Sequence, residues 1–149
     1  MADDVVINKA ASIERAASRA REEYYRDPAE FSGDCTRQDA AILNIQRACE
    51  AALDLGQHLI RRDRLGVPQS QRDVFTLLER SGRLSPELAE SLRRMVGFRN
   101  IAVHDYQVLS LPIVIAIIEH GLHDLERFAS LSLEVERRGR GLGGPTNEG

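Results

Sequence analysis

Arginine, histidine and tyrosine stand at positions 99, 104 and 106, within the segment Arg99-Asn100-Ile101-Ala102-Val103-His104-Asp105-Tyr106. Together they supply a permanent cation, an imidazole that titrates near neutrality and a phenol, all within two helical turns. Cleavage of RNA without a metal needs groups of this kind. A base must take the proton from the ribose 2′-oxygen, an acid must protonate the leaving 5′-oxygen, and a cation must stabilise charge on the phosphoryl oxygens. Arg99 can give phosphate two parallel hydrogen bonds, and His104 can move protons at neutral pH. The Asn100 amide can orient the phosphate or His104. On an unbroken helix, residues five apart differ by about 140° in direction, so Arg99 and His104 would not share a face. Either the helix loosens before His104, or the site is completed across a symmetric dimer. A single imidazole serves two proton transfers poorly, which favours the dimer.

The elements around this segment read as helices. Asp3 or Asp4 can cap a first helix to about Arg26, with Ile13, Ala16, Ala17, Ala20 and Tyr24 at three- and four-residue spacing. Asp27-Pro28 ends it, and a polar connection with Gly33 follows. Thr36-Arg37-Gln38-Asp39 reads as a capping-box-like start for a long second helix, whose apolar face includes Ile42, Ile45, Cys49, Leu53, Gly56 and Ile60. A short helix spans about 70–79. Ser85-Pro86-Glu87 is a strong start for the helix that carries the motif at its far end. A last helix begins near Ser110 and Pro112 and runs to about Arg137, with Ile113, Ile117, Ile118, Leu122, Leu125 and Phe128 toward the core. The expected fold is all-α: an up-and-down bundle of about four long helices plus one short one over 1–137. The Gly-rich segment 138–149 reads as a disordered tail.

Composition narrows the functions. The chain has 149 residues, enough for one domain with its own core. Cys35 and Cys49 are too few for a disulfide framework. No signal-peptide pattern opens the sequence, and the apolar run 113–118 is far shorter than the roughly 20 residues of a membrane span, so a soluble cytoplasmic protein is expected. A net charge of −3 argues against indiscriminate coating of nucleic acid, yet permits a local basic site. Lys9 is the only lysine among 20 basic residues; base composition of the genome is the simpler cause of that bias.

The pattern Arg99-x4-His104-x-Tyr106 in an all-helical chain of this size resembles the signature of the HepT toxins, small helical ribonucleases of the HEPN superfamily. The resemblance covers roughly residues 3–136. It implies a homodimer with Arg and His pairs converging in one cleft, a metal-independent endoribonuclease acting on cellular RNA, tRNA foremost, and no cofactor of its own. It also implies a minimal nucleotidyltransferase antitoxin, MntA, which uses ATP and magnesium to place AMP on Tyr106. A bulky anion there would block phosphate entry by crowding and repulsion.

Other features carry weaker expectations. Arg93 and Arg94 could extend the phosphate-binding surface. Arg61, Arg62 and Arg64 read as cations at a helix C-terminus. His120 and His123 have metal-binding spacing but no second cluster, and His58 reads as a half-buried helix residue. The segment 139–144 lacks the context of a phosphate loop. Two readings from other classes stand beside the nuclease: a non-catalytic binding module that docks a nucleotidyltransferase or a nucleotide, and a structural bundle in which His104 and Tyr106 merely end a helix.

Overall fold

The computed structural model describes residues 3–142, with side chains through residue 139. Its elements are α1 (Asp4–Tyr25), a single turn α2 (Pro28–Phe31), α3 (Cys35–Asp63), α4 (Gln71–Arg80) and α5 (Pro86–His104). A 3₁₀ turn (Tyr106–Val108) follows, then α6 (Leu111–Ala116), a π-helical segment (Ile117–Gly121) and α7 (Leu122–Leu142). The α6, π and α7 pieces form one continuous rod. Four long helices and the short α4 therefore make the bundle, as the hydrophobic period predicts.

The long helices run alternately up and down, as side-chain pairs along their lengths show. Lys9 meets Asp54 at 3.0 Å and Asp3 meets His58 at 2.7 Å, so α1 and α3 are antiparallel. Cys49 donates to the Met95 carbonyl while Arg83, just before α5, reaches Asp63, which sets α3 against α5. Ser91 meets Asp124 at 2.5 Å, and Arg21 forks onto Glu126, which orients the last rod against α5 and α1. Residues 6, 10, 13, 17, 20 and 24 of α1 and residues 41, 45, 48, 52, 55 and 59 of α3 are buried at alternating four- and three-residue steps. That 3.5-residue repeat makes an antiparallel, alanine-rich seam in the manner of a coiled coil. The short α4 packs on α3 at Gly56, where a Cβ would come within 2.6 Å of Val74.

Several local readings need correction. Asp27-Pro28 ends α1 and also starts α2: Asp27 accepts from the Glu30 amide with proline at the first turn. The cap of α3 is Asp34, which accepts from the Arg37 amide, rather than Thr36 with Asp39. Ile113 is 54% exposed, and Val114 takes its place in the core. The buried stripe of the last rod steps 114, 118, 122, 125, and two successive four-residue steps overshoot a 3.6-residue period. The wider π turn absorbs the overshoot. Finally, α7 reaches Leu142, so residues 138–142 are helical rather than a disordered tail; 143–149 lie outside the described residues.

One end of the bundle is clamped by charge. Arg62 bonds Asp3, Asp63 and Glu136, and His58 also bonds Asp3. His58 and Arg62 thus serve a structural clamp. The hydrogen bond from His58, with help from Arg62, holds the Asp3 carboxyl at about 2, and Arg62 with Arg83 does the same for Asp63. Both carboxylates therefore favour the folded state fully above their ordinary value of 3.8, and that contribution disappears as pH falls from there toward about 2. Melting temperature is expected to drop across this window. Arg62→Ala should flatten the drop; an unchanged acid profile in that variant would refute the assignment.

Candidate active site

The motif begins on α5 and ends just beyond it. Ser85 caps the helix by accepting from the Leu88 amide, Pro86 occupies the first turn, and Leu88, Leu92, Met95 and Val96 anchor it in the core. The helix continues without loosening through His104: the Asp105 amide still reaches the Ile101 carbonyl at 2.8 Å. Asp105 then leaves helical geometry, with φ −150° and ψ 50°, and the 3₁₀ turn carries Tyr106 back toward the start of α3. The break thus falls after the histidine. Arg99 and His104 keep their wide angular separation within one chain.

Arg99 faces α3. Its Nε and Nη2 donate to the Glu50 carboxylate at 3.2 and 3.1 Å, and its Nη1 donates to the Asn100 amide oxygen at 3.1 Å. Its side chain is only 19% exposed. Asn100 therefore orients the guanidinium in the free chain, rather than His104. Glu50 is in turn bonded by Gln46 at 3.2 Å. His104 sits exposed in the last turn of α5, and no side chain among the described residues hydrogen-bonds its imidazole. Tyr106 also faces α3, where its hydroxyl donates to the Asp39 carboxylate. Partial burial and that bond push the phenol up to about 12, so it is a neutral hydroxyl at physiological pH. One protomer thus brings together Arg99 and Asn100 with Glu50, and Tyr106 with Asp39. It does not bring His104 to Arg99.

The two remaining arginines differ. Arg93 bonds Glu79 at 3.0 Å and Glu90 at 3.1 Å, so its charge is spent within the chain. Arg94 is exposed and meets Glu90 only at 3.5 Å. It lines a cleft of about 580 Å³ between α5 and the α6–π stretch, with Phe98, Ile101, Val108, Ile117 and His120. Of the residues that line this cleft, Ile101, Val108 and Ile113 are exposed apolar side chains, as is Val103 on the same stretch of α5. No cluster of three or more His, Cys, Asp or Glu side chains suited to a metal lies among the described residues.

Sequence reading overlooked Glu50 and gave Asp39 to the helix cap. Asp39, Gln46 and Glu50 follow one another at steps of seven and four, which puts them on one face of α3 within about 40°. That polar stripe, beside a strongly apolar face, was the available signal.

An all-helical, antiparallel bundle with Arg, His and Tyr at the end of its third long helix defines a HEPN-type protein. The sequence description of the Ribonuclease HepT-like family matches residues 13–131. The chain is 48% identical over 126 residues to the mRNA nuclease HepT of Shewanella oneidensis, covering 85% of this chain and 94% of the relative. The fold matches the crystal structure of a toxin–antitoxin with AMP-PNP at a TM-score of 0.82 and 46% identity, covering 87% of this chain and 97% of that one. It also matches the tri-AMPylated Shewanella oneidensis HEPN toxin in complex with MNT antitoxin, at a TM-score of 0.81 and 46% identity, over 87% and 96% of the two chains. This chain belongs to the HepT-like ribonuclease family.

Proposed function

We propose that this chain is the toxin of a HepT/MntA-like pair: a homodimeric, metal-independent endoribonuclease that its antitoxin silences by transferring AMP to Tyr106. The observation that carries the reading is the complete Arg99, His104 and Tyr106 set in the last turns of α5 and the 3₁₀ turn after it, in a chain nearly half identical to a named nuclease. In the proposed mechanism Arg99 stabilises the phosphoryl oxygens, exchanging Glu50 for phosphate. One His104 takes the 2′-proton as that oxygen attacks phosphorus, and a second His104, from the partner protomer, protonates the departing 5′-oxygen. The unbroken helix through His104 supports the dimer, because it keeps the two groups apart within one chain. The exposed apolar side chains beside the motif offer the contact surface.

The name of the Shewanella relative supports messenger RNA as substrate, ahead of the tRNA expected from sequence. The complexes of the matched structures support an antitoxin partner, and the tri-AMPylated one supports AMP transfer to the toxin, for which Tyr106 is the acceptor that the motif implies. ATP and magnesium then belong to the partner, and this chain needs no cofactor. No helix among the described residues is long and apolar enough to cross a membrane, in keeping with a cytoplasmic site of action.

A second reading is favoured by one observation: Arg99 is already paired with Glu50, as in a module that only docks its partner. The test uses purified chain in excess EDTA with mRNA and tRNA, before and after treatment with the antitoxin and Mg-ATP. Cleavage that survives the chelator and stops once Tyr106 carries AMP is expected. Intact RNA under the untreated dimer would leave the docking module.

A further inference from the structure

We propose that Asp39 holds the Tyr106 hydroxyl for nucleotidyl transfer and accepts its proton as the new bond forms. This rests on reading Tyr106 as the AMP acceptor. Tyr106 and Asp39 are 67 residues apart in sequence, yet their side chains meet where the 3₁₀ turn folds back over the first turns of α3. Asp39 is free for this duty. The capping role belongs to Asp34, and no basic side chain among the described residues forms an ion pair with Asp39. The pair also lies at the surface: Tyr106 is 43% exposed and Asp39 is exposed. A nucleotide carried by another protein can therefore reach the phenol oxygen while the ring stays rested against α3.

The chemistry needs such a partner. With its phenol held up at about 12, Tyr106 presents a neutral hydroxyl, so the proton must leave during the attack. The phenol oxygen bonds to the α-phosphorus of the nucleoside triphosphate. The bond from that phosphorus to the pyrophosphate oxygen breaks, pyrophosphate departs, and the proton passes to the Asp39 carboxylate and then to water. The product oxygen has no hydrogen left to donate. A phosphodiester anion now faces a carboxylate, so the contact with α3 is lost and the modified side chain swings outward. Asp39 thereby favours the forward step and gives the modified residue no place to return to.

The experiment follows adduct formation by intact-mass measurement with the partner nucleotidyltransferase and Mg-ATP, for wild type, Asp39→Asn, Asp39→Glu and Tyr106→Phe. Asp39→Asn keeps an oxygen that can accept the hydroxyl but cannot take its proton. Its kcat is expected to fall about 100-fold, with half-saturation for the toxin unchanged. Asp39→Glu should recover most of the rate, and Tyr106→Phe should take no adduct. Because Asp39 is exposed, circular dichroism and melting should match wild type. Modification of Asp39→Asn at the wild-type rate, or a defect confined to half-saturation, overturns the role of Asp39 and leaves Tyr106 as acceptor. No adduct on wild type, or an equal adduct on Tyr106→Phe, overturns the acceptor reading and this proposal with it.

Discussion

Alanine at position 104 is expected to cut RNA cleavage by about 100-fold or more and to abolish growth arrest in cells that lack the antitoxin. Both proton transfers of the proposed reaction fall to imidazole, the side chain of the motif best suited to moving protons at neutral pH. His104 is exposed in the last turn of α5 and hydrogen-bonds no other side chain among the described residues. Its removal should therefore leave helicity and melting temperature close to wild type. Single-turnover cleavage of a labelled mRNA, with circular dichroism on the same preparation, checks both halves. Equal toxicity of wild type and His104→Ala would eliminate the enzymatic reading.

Loss of the guanidinium is expected to be nearly as costly. Arg99→Ala should slow cleavage about 100- to 1000-fold, the range for removing a group that stabilises charge in the transition state. Arg99→Lys should recover little of it, because an ammonium cannot reproduce the planar fork that bonds two phosphoryl oxygens. Stability is a sharper control here than at His104. Arg99 is held by Glu50 and Asn100, so its removal leaves Glu50 without its cation. That carboxylate is 39% exposed and water can solvate it, so only a small fall in melting temperature is expected. Cleavage by Arg99→Ala within threefold of wild type would mean that the cation belongs to α3 packing alone.

How much could be read from the chain follows from how local each signal is. Ser85-Pro86-Glu87 places the start of α5 because the cap, the proline and the acidic first turn act on neighbouring backbone groups. The three- and four-residue steps of α1 reveal its buried stripe for the same reason, whereas Ala41, Ala48 and Leu55 of the α3 seam are not singled out beside the other apolar residues of that helix. Asp39 misleads because two acids lie near the start of α3, and only Asp34 sits where its carboxylate can reach a free amide. Glu50 and Asp39 join the site through contacts 49 and 67 residues away, which depend on the registry of α5 against α3. No window of sequence contains that registry. The π segment was hidden in the same manner: the choice between Ile113 and Val114 as the buried residue turns on a quarter-turn of rod that only packing decides.

The clamp around Arg62 and the chemistry around Tyr106 sit at opposite poles of α3, about 35 Å apart along its axis. The front of α1 and the far part of α7 gather at the clamped pole, where Asp3 meets Glu136. The charge pairing that steadies the bundle, and that acid removes, is thus concentrated at the pole away from the motif. A nucleotide added to Tyr106, as proposed, would therefore sit at the far end of α3 from the ion pairs that tie α1, α3 and α7 together.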